Sequence, residues 1–220
     1  MLVKLYAFGV GSLFLNFFSA YLEPRQAQVV VEGVHSDSFE IQDTVFQGTV
    51  LGPPLWNLFF NDVTIPAGST GGDPNMFADD LNVMQSYDRL DDNEAIRLEM
   101  DRCRAAVHAW GRKNRVSFDG AKEHVVILHP IHGDGDPVKL LGCLIDCKLL
   151  MNHGIENILS RMRPKLKALL RLRGHYSVKE LIGQFKTHIW GLVEYQNGAI
   201  LHASTHLLKN IDRVQDKFLE

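Results

Sequence analysis

Apolar residues in this chain change their spacing several times along its length. Residues 1–22 (MLVKLYAFGVGSLFLNFFSAYL) are almost wholly apolar and are interrupted at Gly9-Val10-Gly11. That pattern predicts two buried amphipathic helices with a glycine break. Residues 25–34 (RQAQVVVEGV) carry a β-branched run ending in glycine, a strand entering a turn, and residues 35–43 continue extended. Residues 50–62 are apolar around Gly52-Pro53-Pro54, which reads as a helix with proline in its first turn. Residues 66–75 (PAGSTGGDPN) form the most glycine-rich stretch and read as a loop. Residues 76–86 then predict two short strands with Asp79 and Asp80 at the turn between them. In residues 91–114, Ile96, Met100, Cys103, Val107 and Trp110 recur at threes and fours, the period of a helix. Short strands are expected at 125–128 and 139–145. From Ile155 onward the pattern is helical, with Pro164, Gly174 and Gly198 as expected breaks. The change to nearly all-helical spacing near residue 150 marks the expected domain boundary, 1–150 and 151–220.

Composition adds two constraints. Hydrophobic residues make up 45% of the 220 and charged residues 22%, so a packed core is expected rather than disorder. Net charge is −3, but its distribution is uneven. Between Asp73 and Asp101 there are nine acids against Arg89 and Arg97; between Arg161 and Arg173 there are six bases and no acid. An acidic middle followed by a basic segment fits a metal site and a phosphate-binding surface. The cysteines, Cys103, Cys143 and Cys147, are three and widely spaced, which argues against a disulfide framework and for a reducing compartment. His202 and His206 could share a helix face, but no third zinc ligand is evident.

The candidate chemistry lies in FADDLNVMQSY, residues 77–87. Adjacent carboxylates repel each other, so such a pair is either solvated in a turn or holds a cation. An Asp-Asp turn between strands suits magnesium, which takes one or two carboxylates and completes its shell with water and substrate phosphates. Alone, the tetrapeptide favours the solvated turn.

Its neighbours change that balance. QGTVLGPPLWNLFFND (47–62) precedes the pair, and WGRKNRVSFDGAKEHVVIL (110–128) and KLLGCLIDCKL (139–149) follow it. In this order and rough spacing the segments resemble the palm of a reverse transcriptase, the RNA-directed DNA polymerase of non-LTR retrotransposons. Residues 2–28 are similar to a stretch of the same family, which displaces a signal-peptide reading of the N-terminus. The resemblance implies an α+β fold, a partial right-hand polymerase palm of antiparallel sheet with packed helices at 51–61 and 91–113. A helical thumb-like segment would follow. It implies RNA-templated DNA synthesis by two-metal nucleotidyl transfer, with magnesium or, alternatively, manganese. The implied partners are an RNA template, a DNA primer and deoxynucleoside triphosphates, with no membrane and an intracellular location.

The resemblance also implies roles. Asp79 and Asp80 match the catalytic metal-binding pair, flanked by Phe77 and Ala78. Gln47 and Gly48 match the motif lining the incoming nucleotide and template base. Lys122 matches the lysine that protonates or neutralises the leaving pyrophosphate. Leu141 and Gly142 match the turn that grips the primer end. Arg161, Arg163, Lys165, Lys167, Arg171 and Arg173 would lie along the nucleic-acid backbone. Trp110 reads as a core aromatic even within this scheme. Thr44, Phe46 and Glu123 depart from the family's Gly, Pro and Thr. The family's first catalytic Asp and its finger segments lie upstream of the part matched by Leu2. The expectation is therefore a domain truncated at its N-terminus, without polymerase activity and of marginal stability. The alternative is a non-catalytic nucleic-acid-binding module that uses the basic helices after residue 155.

Overall fold

The structure is a computed structural model that describes residues 1–41, 45, 48–88 and 91–220. The chain divides into two compact units, Met1–Phe118 and Asp119–Glu220. Both mix helix with two-stranded antiparallel ribbons, an α+β composition. The break between units lies upstream of the change in spacing near residue 150, because a short hairpin precedes the long helices within the second unit.

The first unit opens with α1 (Leu2–Ala7) and α2 (Ser12–Tyr21), separated at Gly9, whose φ of 83° is open to glycine. The helices form where the spacing placed them, but they are not buried. Leu5 is the one core residue of α1, α2 buries none, and Leu13, Phe14 and Phe17 face outward. Residues 25–34 do not make one strand. They form β1 (Arg25–Ala27) and β2 (Val30–Val31), which pair with β4 (Phe39–Ile41) and β3 (Val34–His35). The left-handed pair Glu32-Gly33 folds the chain back before the β-branched run can extend.

The helix behind the double proline, α3 (Gly52–Phe60), continues through a tight turn into α4 (Thr64–Ala67). The hairpin β5 (Asp73–Phe77) and β6 (Asp80–Met84) follows, and then α5 (Asn93–Asn114). The loop expected at 66–75 is shorter than its composition suggested. Asp73, Pro74 and Asn75 belong to β5, where an edge position tolerates a proline without an N–H. Phe60, Val63, Ala67 and Val107 form the core of this unit, with Trp56, Leu81, Val83, Trp110 and Phe118 against it. Gly111 sits where α5 closes on Val116 and Phe118; a Cβ there would stand 2.6 Å from the Val116 carbonyl oxygen.

In the second unit a strand was expected at 125–128, yet only one bridge forms, Ile127 with Asp134. The hairpin β7 (Val138–Leu140) and β8 (Cys143–Ile145) leads to α6 (Asn152–Arg171). Pro164 lies inside α6 and does not end it. The buried stripe Ile155, Ile158, Leu159, Met162, Leu166 and Leu169 spans both sides of the proline, so packing outweighs one lost backbone bond. Then come α7 (Val178–Phe185), a widened π turn at Lys186–Trp190, α8 (Gly191–Tyr195), α9 (Asn197–Ile200) and α10 (Thr205–Leu219). Ser177 and Glu180 cap α7 reciprocally, and Ser204 caps α10. Among the described residues, no helix is long and apolar enough to cross a membrane.

Candidate functional site

The two aspartates do not share one structural position. β5 and β6 are in register Phe77↔Asp80, Met76↔Leu81 and Asn75↔Asn82, so the turn itself is Ala78-Asp79. Asp80 is the first residue of β6, and Asp79 stands at the tip. Ala78 has φ 54°, a left-handed turn position at which glycine is usual. An L-residue there costs roughly 1–2 kcal/mol, so something must hold the turn. Trp56 of α3 does: its indole Nε1–H donates to the Ala78 carbonyl at 3.0 Å. Trp56 is itself stacked on the buried Phe60, with ring centroids 5.2 Å apart. The segment LGPPLWN thus carries the prop for FADD, which links two of the sequence motifs physically.

Alternation along β6 sets what each face does. Leu81 and Val83 point into the aromatic core, while Asp80, Asn82 and Met84 take the other face beside Phe77, Asn75 and Asp73. Asp79, Asp80, Phe77 and Ala78 are all exposed. Neither aspartate forms an ion pair among the described residues. Two adjacent, solvated carboxylates are a hard-oxygen donor set, and such a set fits one magnesium ion that keeps waters or phosphate oxygens for its other positions. Among the described residues, no group of three His, Cys, Asp or Glu side chains could hold a metal ion.

The core behind the hairpin is tied by a third aspartate. Asp62 Oδ1 accepts from Lys4 Nζ at 2.6 Å and from Trp110 Nε1 at 3.0 Å. The Lys4 ammonium also lies 4.2 Å from the centroid of Phe59 and 4.8 Å from that of Trp110. Trp110 is therefore a packed aromatic with one polar bond, as its spacing suggested. Gln47 lies outside the described residues, as do Thr44 and Phe46. Gly48 is described, exposed and at φ 81°, with nothing within 4 Å of where a Cβ would stand. Next to it, the Tyr21 hydroxyl donates to Thr49 Oγ1 at 2.8 Å.

The other residues singled out in the sequence belong to the second unit. Lys122 ends a short turn started by Asp119, whose side chain accepts from the Ala121 N–H. Its ammonium stands 3.8 Å from the Asp119 carboxylate, and both groups are largely exposed, so this pair fixes little. Leu141 and Gly142 are the two-residue turn of β7–β8, with φ 45° and 88°. The Tyr195 hydroxyl donates to the Leu141 carbonyl at 2.8 Å, and its ring lies against Gly142 so closely that a Cβ would be 3.2 Å from it. Beneath the turn is an open cavity of about 510 Å³ lined by Leu128, Leu140, Cys143, Tyr195 and His202 among others. Burial pushes the Cys143 thiol up. Arg161, Arg163, Lys165, Lys167 and Arg171 cover the exposed arc of α6 opposite its buried stripe, and Arg173 follows in the next turn. None is paired with a carboxylate among the described residues.

A structural anchor also went unseen in the sequence. Asp146 is buried and anchors the segment that starts α6, accepting from the backbone N–H groups of Lys148 (3.1 Å), Leu150 (3.0 Å) and Met151 (2.7 Å). An aspartate a few residues before an amphipathic run was the available signal.

Comparison with known proteins bears on this arrangement. No family model matches the chain, and no solved structure matches it. It is 25% identical over 232 aligned positions to the probable RNA-directed DNA polymerase from transposon X-element of Drosophila melanogaster. The match covers 93% of this chain and 24% of that protein, so the chain spans about a quarter of the length of its relative. The chain is distantly related to a transposon polymerase. That supports a reverse-transcriptase-like origin and, at the level of class, a nucleotidyltransferase relationship.

Proposed function

We propose that this chain is the Asp-Asp-bearing part of a non-LTR retrotransposon reverse transcriptase, palm-like over residues 1–150 and thumb-like over 151–220. The observation that carries the reading is the exposed, unpaired Asp79-Asp80 pair on a strained hairpin turn that Trp56 holds in place. Strain kept at an exposed polar tip and supported from the core is more economically explained by a site than by packing. In the reaction of this class, a primer 3′-hydroxyl loses its proton to water as its oxygen attacks the α-phosphorus of a deoxynucleoside triphosphate, and the bond to the departing pyrophosphate breaks. Asp79 and Asp80 would hold magnesium, which when bound supplies charge for the phosphate oxygens. Lys122 would give its proton to the departing pyrophosphate. Gln47 and Gly48 would line the nucleotide and template base, and the turn Leu141-Gly142, backed by Tyr195, would grip the primer end. The exposed bases of α6 would follow the template–primer phosphates.

We further propose that the 220 residues alone bind nucleic acid without polymerising it. Asp79 and Asp80 are adjacent, no third candidate ligand stands with them among the described residues, and losing one member of a two-metal unit lowers rates by orders of magnitude. The test is primer extension beside filter binding in a salt series. The chain is expected to bind an RNA–DNA duplex with a log–log salt slope of about −5 if all six bases contact phosphate. Binding should persist in the doubly substituted Asp79→Ala, Asp80→Ala protein, with no extension by either. Robust magnesium-dependent extension lost in Asp79→Ala would overturn the inactivity. Absence of salt-sensitive binding would overturn the polymerase-derived reading itself.

A further inference from the structure

The second half of α6, the turn that follows it, the end of α7 and the π turn border an open groove of about 270 Å³. Its floor is apolar, made by Ala168, Leu169, Leu172 and Ile189. Its walls are not: Tyr176, Gln184, His188 and Lys165 line the same space. None of these four side chains makes a hydrogen bond, ion pair or ring contact with another described residue. Tyr176 is 38% exposed, and its ring is stacked on no other ring. His188 lies within the π turn Lys186–Trp190, a widened backbone that recurs at functional positions. Arg161 stands one helical turn before Lys165 on the same side of α6, and Arg173 lies between Leu172 and Tyr176 in sequence.

This combination is selective. An apolar floor with a free aromatic face suits a flat ring. An amide that both donates and accepts and an imidazole suit the polar edge of that ring. Cations at the rim suit phosphates joined to it. The volume lies just below the roughly 300–1,000 Å³ of clefts for drug-sized ligands, which fits a single base rather than a longer ligand. Stacking on an aromatic side chain beside a basic track is how single strands are held without sequence preference. A duplex could use the basic arc of α6 but could not offer a base to the groove, because its bases are stacked and paired.

We propose that this groove captures one unpaired base of a single-stranded nucleic acid whose backbone runs along Arg161 and Lys165. The inference rests on the nucleic-acid-binding reading above and narrows it from phosphate contacts to a base contact. In the bound state the base stacks on Tyr176, Gln184 and His188 meet its edge, and Lys165 meets the adjoining phosphate.

The test is fluorescence anisotropy on the full 220-residue chain with three labelled 12-nucleotide probes. These are a single-stranded RNA, the single-stranded DNA of the same sequence, and the RNA–DNA hybrid. Tyr176→Ala is expected to weaken the single strands roughly tenfold, the size of one stacked base, and to leave the hybrid within about twofold. Tyr176→Phe, which keeps the ring, should bind single strands like the wild type. Gln184→Leu should weaken them by a smaller factor and guards against a folding defect in Tyr176→Ala. A loss confined to RNA would mean that the sugar is read as well as the base; equal loss on RNA and DNA would mean the base alone, and both support the groove. An unchanged ratio of single-strand to hybrid affinity in Tyr176→Ala overturns the groove and leaves the α6 contacts standing. No binding of any probe by the wild type overturns the broader reading instead. Self-association lost in Tyr176→Ala, with oligonucleotide affinity unchanged, would assign the groove to a second copy of the chain and overturn the proposal.

Discussion

The two compact units solve the same problem with unequal means. In the second, the buried residues from Met151 to Val214 make one continuous cluster, fed by α6, the π turn and α10. In the first, the buried cluster consists of Phe60, Val63, Ala67 and Val107, with half-buried aromatics around it. The first unit also leaves Leu13, Phe14, Phe17 and Val29 to Val31 in contact with solvent. The difference follows from the elements. An amphipathic helix satisfies its backbone internally and needs only one neighbour to bury its stripe. A two-stranded ribbon leaves half its polar backbone unpaired and is marginal until a helix or a third strand covers it. The hairpin with Asp79 and Asp80 is covered on one face by α3 and α5, whereas the ribbons at residues 25–41 are not. The candidate metal-binding aspartates thus sit in the less consolidated unit, and Lys122 and the basic surface sit in the better packed one.

The largest expected effect tests that contrast directly. Phe60→Ala should cost about 4 kcal/mol and melt the first unit while the second keeps its helices. Urea unfolding in a Trp190→Phe background, read by the fluorescence of Trp56 and Trp110 in the first unit and by far-ultraviolet circular dichroism, would show it. Simultaneous loss of both signals would mean that the units fold as one and the contrast is wrong. Asp146→Ala should cost about 3 kcal/mol in the second unit, since three backbone N–H groups lose their acceptor. Asp146→Asn, which keeps one acceptor oxygen, should cost less, and the midpoint of the helical transition measures both. Trp56→Phe keeps the stack on Phe60 but removes the bond to Ala78; about 1 kcal/mol should be lost from the first unit. Amide exchange at Ala78 to Leu81 should quicken in that variant.

A last effect is one of pH. Burial first, and then the Glu99 carboxylate, push the Tyr87 hydroxyl up to about 12. An unfolded tyrosine titrates near 10. Between those values the native state keeps a proton that the unfolded state releases, so this contribution is intact below pH 10 and declines as pH rises toward 12. Tyr87→Phe should therefore unfold at urea midpoints that fall less between pH 10 and 12 than those of the wild type.

How much of this was legible differs between motifs. The spacing of Ile96, Cys103 and Val107 placed α5 within two residues of its ends, because burial on a helix repeats in sequence. The stripe from Ile155 to Leu169 was legible for the same reason. The first part of β5, Asp73 to Asn75, was not, because Pro74 and the glycines before it read as a loop, and only pairing with Val83 keeps the proline in a strand. Pro164 misled in the opposite direction: as a breaker it is a local signal, and the packing of α6 overrode it. Of the candidate site, the residue types and their order were legible, and the turn position of Asp79 nearly so. The props were not. Trp56 reaches Ala78 across 22 residues, and Tyr195 reaches Leu141 across 54. Nothing in the local spacing of either aromatic announces such a bond.

By itself the sequence determined the helices, the adjacent carboxylates, the run of bases and the likeness to a transposon polymerase. These are properties of residue type and near-neighbour spacing, where the physics is local. Only the tertiary structure decided that Asp79 takes the turn and Asp80 the strand, that a tryptophan holds the strained alanine before them, and that four unpaired polar side chains meet over an apolar floor beside α6. Those arrangements depend on which distant segments come to share a core, and a chain's local preferences do not encode that choice.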